Sequence, residues 1–415
     1  MFNERQLLGL ELICREIAGE PDGRLKGALA TNLSDLLRYQ NMLCRYDTAA
    51  LKSLDIFSVH GFPVGLVECE SNLLGIPNGE GRTNIGSGGW SNIVEKFTKA
   101  KRYCESPFEV MYEDKRKREI QVVGEWIGSR REGHPLRRVS LACRNSMEAN
   151  LARSSLDGVF TDPPYYSNVQ YAELMDFCYV WLRRLVGTTE RAFAGPSTRS
   201  KDELTVNATM DRGLAHYTEG LSAVFAKMAG ALKPGSPFVF TFHHNVLEAY
   251  FPIAVALLDA RLVCSASLPC PAEMGASIHI NRTGSSIVDT VFVCRSTGRV
   301  PRRIIVSTAS AVADLVREDL VQLGAGGVNP TQGDARCIAH GHLIRLAVWS
   351  LRANWNKELA TDAKLALVGG AIQALGGLRE VESALSCEGV RLPRRRLMVS
   401  EEMAPYGHTN DEIPF

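Results

Sequence analysis

Val159-Phe160-Thr161-Asp162-Pro163-Pro164-Tyr165-Tyr166 is a short apolar, β-prone run that stops at an aspartate and two prolines. It predicts a strand over 159–161 ending at Asp162, because proline can neither donate to a strand ladder nor sit inside one. Beyond this corner, Tyr171, Leu174, Met175, Cys178, Leu182 and Leu185 recur at helical spacing. A second helix over about 217–232 places Leu221, Val224, Phe225, Met228 and Leu232 on one face, and Lys233-Pro234-Gly235 stops it. A strand is expected over 237–243, a helix over 246–259 and a strand over 262–266. The last strand, 287–294, is expected to return antiparallel beside its predecessor. Short apolar runs alternating with helical patterns indicate an α/β layered sheet across 139–303.

The flanks read differently. Leu7, Leu8, Leu10 and residues 12–17 form an apolar helical face that breaks at Pro21-Asp22-Gly23. A second helix is predicted over 25–46 from Leu29, Leu33, Leu36, Leu37, Asn41 and Leu43. Residues 72–92 are rich in Gly, Asn and Ser and read as a long loop; a phosphate cradle is the sharper alternative, though no GKS or GKT follows. Trp90 to Tyr103 is amphipathic, and Lys115-Arg116-Lys117-Arg118 is a charge run. Residues 309–323 and 343–385 read mostly as helix. The expected divisions are a helical segment (1–70), a Gly-rich loop and basic linker (71–138), the α/β domain (139–303), a helical appendage (304–390) and a basic, then polar, tail (391–415).

Composition removes several classes. With 45% hydrophobic and 22% charged residues the chain is neither mostly disordered nor collagen-like. Its 47 basic and 46 acidic side chains leave a formal net charge of +1, so bulk charge alone does not make it a nucleic-acid binder; a local basic face still can. The 11 cysteines form no CxxC, and the closest pair, Cys264 and Cys270, lacks a second pair to complete a zinc site. Reduced thiols and no metal are expected. Met1 to Gln6 lacks the basic-then-apolar order of a leader, and no run reaches the roughly 18 apolar residues of a membrane span, so no membrane and a cytoplasmic location are expected.

The Asp162 corner carries the chemistry. The same letters fit a strand-to-helix corner in which two prolines fix the backbone and the aspartate caps the next turn. The chemical alternative places Asp162 at the carboxyl end of a strand, where α/β sheets bind ligands. The Pro163 carbonyl beside it is purely an acceptor. Two acceptors on a stiff arm hold an exocyclic nucleobase amine, which offers two N–H donors, and favour the tetrahedral nitrogen that attacks an electrophile. Tyr165 is placed to stack on the base. Tyr166, Asn168 and Tyr171, with Gln170 between, form a candidate clamp, with ordinary loop packing as the alternative. For His243 and His244, at the end of the strand expected over 237–243, packing is favoured over a metal or base role. Basic residues able to meet a DNA backbone include Lys115, Arg116, Lys117, Arg118, Arg130, Arg131, Arg137, Arg138, Arg183, Arg184, Arg302 and Arg303, each cluster alone being equally a solvated face.

Asp162-Pro163-Pro164-Tyr165 resembles the motif of the amino-methylating DNA methyltransferases, and 161–184 resembles more narrowly the large adenine-specific DNA methylases that carry an amino-terminal domain of unassigned function. The resemblance implies a Rossmann-like class I methyltransferase sheet of order 3-2-1-4-5-7-6, with 159–162, 237–243, 262–266 and 288–294 as strands four, five, six and seven. It implies catalytic roles for Asp162, Pro163, Pro164 and Tyr165, S-adenosyl-L-methionine as donor, DNA as partner, and methylation of adenine N6 of the restriction-modification type. The family's donor-binding glycine loop is not found: Phe62-Pro63-Val64-Gly65 lacks its second glycine and the 75–89 glycines lack a leading strand. The chain resembles the carboxyl-terminal part of such an enzyme, so the sheet is expected to be incomplete. Two alternatives stand beside methylation of DNA: a nucleic-acid-binding subunit that needs a second polypeptide, and a methyltransferase for RNA or another planar amide.

Overall fold

The computed structural model describes residues 1–48, 52–57, 61, 62, 69–77, 83–85, 88–113, 116–123, 130, 132, 133, 137–272, 286–296 and 308–387. Residues 63–65, the glycines at 79, 81 and 86, Lys115, Arg131, Arg302-Arg303 and the tail 391–415 lie outside them. The chain forms two compact units, Met1–Ala149 with Val169–Glu203, and Asn150–Asn168 with Leu204–Phe415.

The first unit is mostly helical. Asn3 and Gln6 cap α1 (Glu4–Gly19) reciprocally, and Asp22 caps α2 (Gly23–Leu37). α2 ends nine residues before the predicted position 46, because Asn41 Nδ2 takes the Leu37 and Arg38 carbonyls at 2.9 and 3.2 Å and turns the chain. Three short pairs follow: β1 (Tyr46–Asp47) with β2 (Lys52–Ser53), β3 (Ile76–Pro77) with β4 (Thr83–Ile85), and, after α3 (Trp90–Glu105), β5 (Phe108–Glu113) with β6 (Arg116–Gln121). α4 (Tyr171–Val186) buries Phe177, Cys178 and Leu185 in one core with Leu10, Leu33, Leu36 and Leu37. The glycines at 88 and 89 serve close packing: a Cβ on Gly88 would lie 2.2 Å from Tyr39 Cβ, and one on Gly89 2.6 Å from the Gly75 backbone. That accounts for the glycines without a phosphate.

The second unit is mixed α/β. Its four-stranded sheet has the order β7 (Val159–Thr161), β8 (Pro237–Phe242), β10 (Val288–Arg295), β9 (Val263–Pro271). β7 and β8 run parallel, and β10 is antiparallel to both its neighbours. In the expected seven-strand numbering, these positions read 4-5-7-6. Among the described residues no further strand joins this sheet, so β7 is an edge. β9 runs on to Pro269 and Pro271, which an edge strand tolerates.

Alternation sorts the sheet's faces. Phe238, Phe240, Phe242, Phe292 and Cys294 are buried, whereas Val239, Thr241, Val291 and Val293 are half-buried. Phe240 stacks on Phe292 with centroids 5.0 Å apart, and Phe225 of α5 (Leu214–Ala231) packs against Phe238 and Phe240. Each such ring contributes roughly 1.5–3 kcal/mol by burial. The predicted helix over 246–259 divides into a 3-10 turn, Leu247–Tyr250, and α6 (Phe251–Asp259) with Pro252 in its first turn. α7 (Ala309–Ala325), α8 (Gln332–Leu351), α9 (Thr361–Ala374) and α10 (Gly377–Cys387) share the sheet's hydrophobic core, so the helices read as an appendage are part of this fold. α8 lies so close that a Cβ on Gly341 would meet Thr290 Cγ2 at 2.8 Å.

Candidate active site

Because β7 and β8 are parallel, their carboxyl ends share one rim, and Asp162 leaves β7 there. Pro163 is buried and stiffens the exit, while Asp162 is exposed. The Thr241 hydroxyl donates to Asp162 Oδ1 at 2.5 Å, and the Tyr165 hydroxyl donates to Thr241 Oγ1 at 2.9 Å. Carboxylates only accept, which fixes the direction of both bonds. Asp162 Oδ2 and the Pro163 carbonyl have no hydrogen-bond partner among the described residues. The next carbonyl is different: Pro164 accepts from the Tyr217 hydroxyl at 2.6 Å and from Tyr166 N at 3.1 Å. Tyr166 takes the left-handed conformation, φ 54°, and turns the chain so that Asn168 N reaches the Tyr165 carbonyl at 3.0 Å and Asn168 Nδ2 the His243 carbonyl at 3.3 Å.

Asp162, Pro163, Pro164, Tyr165, Tyr166 and Asn168 therefore come together on one corner. Tyr165 is held rather than free: its ring packs on Phe242 at 5.4 Å, and burial, together with Asp289 and Asp162 and against the Thr241 bond, raises its hydroxyl above the ordinary tyrosine value. Burial also raises Tyr166, whose ring meets Tyr217 and His244 edge-on. His243 Nδ1 lies 3.2 Å from the Val288 carbonyl, 3.6 Å from Cys337 Sγ and 3.8 Å from Asp289 Oδ1. Burial works against its protonation, but those three neighbours outweigh burial and its pKa is raised. Burial lowers that of His244, whose Nδ1 accepts from Val246 N. Among the described residues no group of three or more His, Cys, Asp or Glu side chains is placed to hold a metal, and no helix is long and apolar enough to cross a membrane.

The remaining described candidates belong to the first unit. Tyr171 opens α4, and Arg116, Lys117 and Arg118 lie on the exposed strand β6. Local carboxylates already engage several of these cations: Lys117 is 3.2 Å from Glu119, Arg118 3.5 Å from Glu113, and Arg184 2.7 Å from Glu11. Arg183 reaches the Ala194 carbonyl at 3.4 Å, and Arg130 is exposed. Thr241 and Tyr217 hold the corner through their hydroxyls, and the sequence does not single them out. The one visible signal is a lone hydroxyl in Phe238-Val239-Phe240-Thr241-Phe242.

No known protein family matches the chain, and neither does any curated protein or solved structure. The methyl donor that the motif's resemblance implies would need a pocket beside the Asp162 corner. The described residues supply no strand with a glycine loop next to β7, so they do not form that pocket.

Proposed function

We propose that the Asp162 corner holds the exocyclic amine of a nucleobase for methyl transfer, with DNA as the substrate class and adenine N6 as the first target. One observation carries this: among the described residues, Asp162 Oδ2 and the carbonyl of the next residue, Pro163, have no hydrogen-bond partner at this strand end. Two acceptors match the two N–H groups of an aromatic amine and draw its nitrogen out of conjugation. An amine inside a duplex must first be extruded, at a cost of a few kcal/mol. The chain's own contribution is to bind and orient, which accounts for much of the rate when reactants are held at attack distance. S-adenosyl-L-methionine as donor rests on the motif's resemblance alone, because the described residues do not form its site.

A second reading, a nucleic-acid-binding subunit completed by another polypeptide, is favoured by the edge of β7. Phe160 is 75% exposed on that strand, one residue before Thr161 and two before Asp162. A sheet edge carrying an exposed aromatic ring next to the amine corner is suited to strand addition.

Transfer of labelled methyl groups into oligonucleotides tests both. Incorporation that requires adenine and disappears in Asp162→Ala supports the first reading; equal incorporation by wild type and variant rejects it. Where wild type incorporates nothing, single-stranded oligonucleotide binding weakened by Asp162→Ala supports the second reading, and absence of binding at low salt rejects both.

A further inference from the structure

A cavity of about 370 Å³ opens at the other end of the sheet. Ser296 on its wall directly follows β10, whose Arg295 pairs with Pro237, the first residue of β8, whereas Asp162 lies beside the last residues of that strand. The six residues of β8 separate the two rims by roughly 17–20 Å. This is therefore a second location.

Its walls are cationic with one apolar side. Arg261, Arg352 and Lys357 line it with Ser296, Trp355 and Leu258. The lining carboxylate, Asp259, is neutralised internally: it accepts from Lys364 Nζ at 2.9 Å, in a largely buried pair, and from Trp355 Nε1 at 2.9 Å. Lys357 lies 3.7 Å from the exposed Glu358. Arg261 and Arg352 have no ion-pair partner among the described residues. Among the described residues, Arg261 and Arg352 thus bring the cavity positive charge that no carboxylate pairs.

Cations commonly gather at helix carboxyl ends to offset the dipole and to bind free carbonyls. The end of α6 does not need them. Its backbone closes on itself through Ala260 N to Ala256 O at 3.0 Å, Arg261 N to Leu258 O at 3.0 Å and Leu262 N to Leu257 O at 2.8 Å. Arg261 itself sits at φ 56°, a conformation that costs about 1–2 kcal/mol for a residue with a Cβ and that Gly or Asn adopts more readily. The turn itself therefore gives no reason for an arginine at this position.

We propose that this cavity binds a small phosphate monoester with a planar or apolar body. Guanidinium forks pair with phosphate oxygens in two-bonded geometry, and the Ser296 hydroxyl adds a donor. Trp355, half-buried on the cavity wall, faces the body of the ligand. The volume falls in the range of small-molecule sites.

Calorimetric titration of the full chain with adenosine 5′-monophosphate, adenosine and inorganic phosphate tests this. The monophosphate should bind in 1:1 ratio and weaken with added salt, phosphate alone should bind less tightly, and adenosine should give no saturable heat. Arg261→Gly, which relieves the left-handed turn and keeps the fold, should weaken the monophosphate at least tenfold, as should Arg352→Ala. No binding of either phosphate compound at millimolar concentration and low salt overturns the proposal. So does equal binding by wild type and both variants, or adenosine binding as tightly as its monophosphate.

Discussion

Thr241 decides which way Asp162 faces. It lies 79 residues from that aspartate in sequence, donates to Oδ1 and accepts from Tyr165, so one hydroxyl fixes both members of the corner. Hydrogen bonds to charged groups are worth roughly 1.5–3 kcal/mol, enough to hold a carboxylate in a single rotamer. Thr241→Val keeps the shape and removes both bonds. We expect it to lower Asp162-dependent methyl transfer or oligonucleotide binding about ten- to a hundredfold, with Thr241→Ser close to wild type; an unaffected valine variant would show that the aspartate needs no positioning. Asp162 is legible in the sequence because its neighbours are unusual: two prolines and two tyrosines at a strand end. Thr241 is not, because its role depends on the β7–β8 register, Thr161 opposite Phe240, which no local pattern encodes.

Among the elements, strands and helices with strict periodicity are readable from the sequence, and the departures share a physical cause. α2 stops early because a side chain, Asn41, competes for its last carbonyls. The β5–β6 hairpin escapes a periodicity reading because a run of exposed charges has no burial period. α8 is legible only in part, since it is buried nearly all round, polar residues included, and its sequence shows no preferred apolar face. It is also anchored by polar groups. Asp334, fully buried, accepts from Ser286 Oγ, Ile287 N, Thr331 N and Thr331 Oγ1, which pins the start of α8 to the entry of β10. His342 donates Nε2–H to Asp319 of α7 at 2.9 Å while its Nδ1 meets the Ser267 hydroxyl of β9 at 3.2 Å. His340 differs: among the described residues neither buried ring nitrogen has a hydrogen-bond partner, and burial, reinforced by Arg336, presses its pKa down to about 3. The unfolded chain then binds a proton that the folded one refuses. The stability involved is complete above the unfolded value near 6.5 and is lost as pH falls toward 3. His342, also lowered by burial, acts in the same direction, whereas raised His243 acts only above about 6.5. Between pH 7 and 5 one such histidine accounts for about 2 kcal/mol. His340→Leu should therefore lose less stability over that interval by about this amount in urea unfolding; a variant with the wild-type pH slope would place the acid sensitivity elsewhere.

Across the described residues, the division into two units crosses the boundaries expected from composition, because 169–203 belongs with the amino-terminal helices and 308–387 with the sheet. Composition marks loops and linkers, whereas units are decided by which apolar faces meet. Phe177 of α4 joins the Leu10 and Leu33 core, and Ile344 of α8 joins Phe292. The same principle identifies what the sheet leaves open. β7 has three residues, one hydrogen-bonded neighbour among the described strands, and an aromatic ring 75% exposed on it. Proteins usually blunt such edges with charge or proline, and the prolines here begin only after Asp162. An uncovered Phe160 adds little to the stability of the folded chain but offers a template for pairing with another strand. Phe160→Lys is accordingly expected to leave the unfolding free energy measured in urea within about 0.5 kcal/mol of wild type, while lowering the apparent mass in light scattering at high protein concentration. Destabilisation by more than about 1 kcal/mol would mean instead that the ring is covered in solution by this chain itself, and that the edge beside Asp162 is not free to receive a partner strand.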